Sequence, residues 1–104
     1  MTTYINSTQQ SNPDKDLDFG AKFPFDETDV WWENGYGHLP PSDASDWAVA
    51  AARGVITNLE DRRSIKQGFN EIAEDVRVEI VASLAAIIRR AKERDDMQGG
   101  QNAE

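Results

Sequence analysis

The chain has no cysteine and one histidine among its 104 residues. Without cysteine there is neither a disulfide framework nor a cysteine-bearing zinc site, which fits a reducing, intracellular setting. The lone His38 removes any two-histidine metal site and stands in no Ser-His-Asp arrangement, so no catalytic residue is assigned and the chain reads as a non-enzyme. No apolar run approaches the roughly 20 residues of a membrane span, and the polar first dozen residues lack the basic-then-apolar layout of a secretory signal. The expectation is a protein that stays off membranes, in the cytoplasm of the cell that makes it. Gly35-Tyr36-Gly37 lacks the further glycines of a dinucleotide loop and any following Lys-Ser or Lys-Thr pair. Asp14-Lys15-Asp16 and Asp18 come nearest to a calcium loop but contain a lysine and lack its glycine. No cofactor and no metal follow.

Basic residues are also scarce where acids are dense. The net charge is −8, which opposes direct contact with DNA, RNA or an anionic membrane, because such contacts rest on basic surface that neutralises phosphate. From Met1 to Asp46 nine acids face only Lys15 and Lys22, a net of −7, whereas Trp47 to Glu104 is nearly balanced at −1.

The clearest order lies between Glu74 and Arg94. Val76, Ile80, Leu84, Ile87, Ile88 and Ala91 recur at steps of three and four, the period of one helical face. Val81, Ala82, Ala85 and Ala86 widen that stripe, which predicts a core helix covered on more than one side. Trp47, Ala48, Ala51, Ala52, Val55, Ile56 and Leu59 form a second stripe, rich in alanine and suited to a close helix crossing, with Gly54 inside it as a site of close crossing or bending. Ser42 is the expected N-cap of that helix, with Asp43 and Asp46 at its positive end and a break or restart near Asn58. A shorter helix runs on from Asp61 to Gln67, closed by Gly68.

Upstream, Met1 to about Asp18 lacks an apolar period and is expected to be a mobile arm. Phe19, Phe23 and Phe25 around Gly20 and Pro24 suggest an extended aromatic segment draped over the core. Asp26 is the expected cap of a short helix reaching Asn34, ended by Gly35 at positive φ. The fold is thus predicted as all-α, a small bundle of three to four helices spanning 19–94, with an aromatic extended N-terminal segment and disordered tails at 1–18 and 95–104.

Asp61-Arg62-Arg63-Ser64-Ile65-Lys66, followed by Asp75-Val76-Arg77-Val78-Glu79-Ile80-Val81, resembles a pattern in short, uncharacterised phage and prophage proteins, over less than half of the chain. In bulk character, small, acidic and cysteine-free, the chain is similar to phage anti-CRISPR and anti-restriction inhibitors. That likeness carries over no residue role, but it implies a protein of host-defence evasion.

The most distinctive interval is Asp26 to Asp46, which has no lysine or arginine. Asp26, Glu27, Asp29, Glu33, Asp43 and Asp46 alternate there with Trp31, Trp32 and Tyr36. Aromatics anchor interfaces, and a rim of one sign steers an oppositely charged partner. Carboxylates three and four apart on a helix lie about 5–6 Å from one another, which sets anions along a ridge as phosphates are set along a strand. Equally, the acids can cap two helices and a tryptophan can fill the core. These nine residues are the candidate partner-binding set. The partner expected is a basic, nucleic-acid-handling host protein, most concretely a CRISPR surveillance complex, inhibited by a DNA mimic that is itself a monomer or small homo-oligomer. The rival expectations are an assembly adaptor of a phage particle, built on the apolar helix stripes, and a small regulator that touches nucleic acid through Arg62, Arg63 and Lys66.

Overall fold

The computed structural model describes residues 12–102, with side chains through residue 98. Five helical segments follow one another, and no strand occurs among the described residues: α1 (Pro13–Lys22), a π-helical turn (Trp31–Gly35), α2 (Trp47–Glu60), α3 (Arg63–Asn70) and α4 (Glu74–Asn102). The all-α class is as expected, with α1 lifting the count above four.

The helix at the centre is α2, because α1, α3 and α4 each pack on it and no other pair of helices brings its backbones close together among the described residues. Its alanines explain this. Ala48, Ala52 and Ile56, one helical turn apart, are almost fully buried, and they meet Val81 and Ala85 of α4. Small side chains on both sides let two helix axes approach closely. The expectation that α4 is covered on more than one side is therefore corrected: α2 covers one face, while Val76, Val78 and Ile87 remain exposed. Phe25, 6% exposed, closes the same core from a loop and meets Phe69 of α3 edge-on at 5.4 Å.

Several expected boundaries shift for identifiable reasons. The arm expected to reach Asp18 is instead helical from Pro13: Asn12 Oδ1 accepts from Lys15 N–H at 3.2 Å, Pro13 fits the first turn, and Asp14 and Asp16 complement the helix dipole. Residues 1–11 lie outside the described range. Phe19 accordingly sits on a helix rather than in an extended segment. Gly20 lets α1 lie against α2, since a Cβ there would stand 2.9 Å from the backbone C and O of Arg53. Gly54 serves the same crossing, facing Leu17. At the other end, α4 continues helical past the expected stop near Arg94 to Asn102. Residues 103 and 104 are outside the described range.

The caps also change hands. Asp46, not Ser42, caps α2 by accepting from Val49 N–H at 3.0 Å, because Ser42 is held by other partners. Thr28, not Asp26, caps the turn that follows it, its Oγ1 accepting from Trp31 N–H at 3.1 Å. The expected α-helix to Asn34 is a single π turn, and the positive φ belongs to Gly37, at 81°, rather than to Gly35. The break after α2 falls at Asp61 and Arg62 instead of Asn58, and α3 passes through Gly68 to Asn70.

Candidate functional site

The loop between α1 and α2 carries all nine candidate residues, and two arginines hold it in place. Arg53 projects from α2 and is 5% exposed. Its Nε donates to Asp26 Oδ1 at 2.9 Å, and its Nη atoms donate to the Ser42 carbonyl and hydroxyl at 3.0 and 3.2 Å. Arg77 projects from α4 with every nitrogen in use: Nε to the Phe25 carbonyl, Nη1 to the Ile72 carbonyl, and Nη2 to the Glu27 carbonyl and to Asp29 Oδ1 at 2.8 Å. A planar guanidinium with fixed donors suits this work, since each bond constrains the loop in direction as well as distance.

The acids of the interval are consequently divided. Asp26 is paired with Arg53, and Asp29 with Arg77. Asp46 is paired with Arg89, whose hydrogen bond, together with that from Val49 N–H, holds the Asp46 carboxyl below the ordinary aspartate range. Glu27 is 8% exposed. Burial pushes its pKa up, but N–H donors from Ser42 at 2.7 Å and Thr28 at 3.0 Å outweigh burial and hold it below the ordinary glutamate value. Glu33 and Asp43 are exposed and, among the described residues, in no ion pair. A single ridge of free carboxylates through Asp26, Asp29 and Glu33 is therefore not what this loop presents.

The aromatics divide as well. Trp31 is 6% exposed, its Nε1 donating to the Leu39 carbonyl at 3.3 Å, so it is part of the loop's own packing. Trp32 is half-buried, and its ring stacks on exposed Tyr36 at 5.7 Å and 22°. The run continues from Tyr36 to Phe23 at 5.3 Å and from Phe23 to Phe19 at 4.7 Å. Phe19 and Tyr36 are 50% and 51% exposed. Together these rings form one side of an open groove of about 430 Å³, whose other side is the α2–α3 junction with Glu60, Asp61 and Lys66. A smaller hollow of about 240 Å³, lined by Phe25, Asp29, Glu33 and Arg77, shares Trp32, Glu60 and Asn70 with this groove.

Glu60 is the unusual acid. Burial pushes its carboxyl above the ordinary glutamate range and the Lys66 ammonium pulls it back only in part. No hydrogen bond reaches it among the described residues. His38 is exposed on the turn after the π helix, and among the described residues no group of three or more His, Asp or Glu side chains is arranged to hold a metal ion. Of the basic residues expected to act together, Arg62, Arg63 and Lys66 are all exposed, and Arg62 donates to Asn58.

Sequence reasoning did not place Phe19, Phe23, Glu60, Asp61 and Lys66 in one site with Trp32 and Tyr36, because they come from three stretches of chain. One signal for the struts was present: Arg53 is a solitary charge in the alanine stripe of α2, and a charge on a buried face demands a partner acid. Among the described residues no helix is long and apolar enough to cross a membrane. Comparison with protein families, curated proteins and solved structures returned no match.

Proposed function

We propose that this chain is a non-enzymatic inhibitor of the phage type, which docks a basic, nucleic-acid-handling host protein through the groove beside Trp32 and Tyr36 and so blocks access of DNA to that protein. The supporting observation is the continuous run of rings from Phe19 through Phe23 and Tyr36 to Trp32, half exposed at Phe19 and Tyr36 and sharing a groove with the carboxylates of Glu60 and Asp61. Exposed aromatics clustered at a concave surface are the usual anchors of protein recognition, and an acidic rim selects a basic partner and speeds its arrival. Because Asp26, Asp29 and Asp46 already have arginine partners, the mode of binding is aromatic anchoring with an acidic rim rather than a phosphate-like ridge.

The concrete form of this reading is inhibition of a CRISPR surveillance complex. Binding of labelled target DNA by the purified complex is measured with increasing amounts of the full chain. The wild-type chain displaces DNA, and the E33K/D61K variant, which changes two exposed acids that brace nothing, requires at least about tenfold more protein to do so, the scale of losing close charge complementarity. No displacement by the wild-type chain overturns the CRISPR form, and equal displacement by the variant overturns the acidic rim.

An assembly adaptor is the rival reading, favoured by the uncovered face of α4 with Ile87 63% exposed. A stable oligomer in sedimentation that dissociates on I87K supports the adaptor, and a monomer dismisses it.

A further inference from the structure

The groove beside Trp32 is short of one positive charge. Three acids, Asp16, Glu60 and Asp61, line it with two bases, Lys15 and Lys66, and among the described residues none of these five stands in an ion pair within 4 Å. Asp16 is partly satisfied by Asn58, whose Nδ2 donates to it at 3.0 Å. Glu60 is not, and it lines both the larger and the smaller hollow. Trp32 and Tyr36, whose rings lie within 22° of parallel, line the same groove as that carboxyl. A half-buried carboxyl without a donor, beside a flat aromatic pair, defines the chemistry of what it lacks: a planar cation that stacks with its face and donates with its edge.

We infer that the groove is a binding site for a single arginine side chain of a basic partner, with the guanidinium stacked on the Trp32–Tyr36 pair and its forked N–H groups donating to the Glu60 carboxyl. This deepens the docking role proposed above and rests on it. Guanidinium meets both requirements at once, because it is planar, weakly hydrated and able to give two parallel hydrogen bonds to one carboxylate. An ammonium meets the charge but has neither the flat face nor the fork. A cation over an indole or phenol face is also attracted by the ring quadrupole, more strongly when water is excluded. Lys66 is the internal competitor: it is near enough to bias Glu60 electrostatically and too far to pair with it.

The test needs no knowledge of the partner. The full chain is titrated with acetyl-arginine methylamide while the indole N–H resonances of the three tryptophans are followed by NMR, and the neutral isostere acetyl-citrulline methylamide is run in parallel. The Trp32 signal moves most and saturates with the arginine probe, that of Trp47 stays, and the citrulline probe moves none. E60Q weakens the arginine probe about tenfold, as removal of a charged hydrogen-bond partner should, whereas K66A strengthens it. Melting curves on both variants establish that they are folded. A static Trp32 signal across the probe's soluble range, equal response to citrulline, or unchanged affinity in folded E60Q each overturns the arginine site. Such a failure leaves the DNA-displacement result untouched, so the two proposals fail separately.

Discussion

Arg53 Nε lies 2.9 Å from Asp26 Oδ1 across 27 residues of chain, with the two side chains 5% and 15% exposed. This pair fastens the site loop to the central helix. Truncating the arginine leaves Asp26 charged with no partner and also strips the Ser42 carbonyl and hydroxyl of their donor. R53A should therefore lower the free energy of unfolding by about 3–5 kcal/mol, the usual cost of breaking a buried pair from one side. Urea denaturation followed by circular dichroism measures it, and a loss below about 1 kcal/mol would mean the pair is not structural.

Two glycine-to-alanine changes should have opposite signs. At Gly20 the new methyl would sit 2.9 Å from backbone atoms of Arg53, which cannot move aside, so G20A lifts α1 from α2 at a cost of about 1–3 kcal/mol. At Gly68, inside α3, nothing lies within 4 Å, so G68A gains about 0.4–1 kcal/mol through better helix propensity and a less flexible unfolded chain. Thermal melts of the two variants should fall on opposite sides of the wild type.

The adjacent tryptophans should separate stability from binding. Trp31 is 6% exposed and donates to the Leu39 carbonyl, so W31A should cost about 3–5 kcal/mol and loosen the whole loop. Trp32 lines the groove and is less buried, so W32A should cost clearly less stability than W31A while losing the partner. The same purified variants in a melt and in the DNA-displacement assay check both halves.

Much of this architecture can be read along the chain. The periodicities of α2 and α4 show because they repeat over four or more turns, and the lysine-free interval shows because composition is local. What the interval does with its charges does not show, since Arg53, Arg77 and Arg89 reach their acids across 27, 48 and 43 residues. Charge counting sees the acids and their sum but not the pairing. Ser42, Asp43, Ser45 and Asp46 are all competent caps by residue type, and the structure starts the helix at Trp47 with Asp46 as its cap while Arg53 holds Ser42. For α1 the start signal was present in Asn12-Pro13-Asp14, where Pro at the first helical position reads equally well as a turn.

Acid should weaken the fold through Glu27 and Asp46 and strengthen it through Glu60. The first two have folded pKa values below the ordinary 4.5 and 3.8, so their contribution is complete above those values and is lost as pH falls through them toward the lowered ones. Glu60 is raised, so its contribution is present below about 4.5 and is lost as pH rises through the folded value. In stability measured against pH, E27Q should flatten the acid limb, and E60Q should gain on the wild type as pH rises above about 4.5. Parallel curves for E60Q and wild type would show that Glu60 is not held in a desolvating site.

Which surface would meet the proposed partner is read most directly by hydrogen–deuterium exchange of the full chain, free and mixed with the CRISPR surveillance complex of the proposed function. Protection should concentrate on the end of α1 at Phe19 and Phe23, the π turn with Trp32 and Tyr36, and the α2–α3 junction at Glu60 and Asp61. Protection confined to the exposed face of α4 around Val76 and Ile87, with the π turn exchanging as in the free protein, would contradict it.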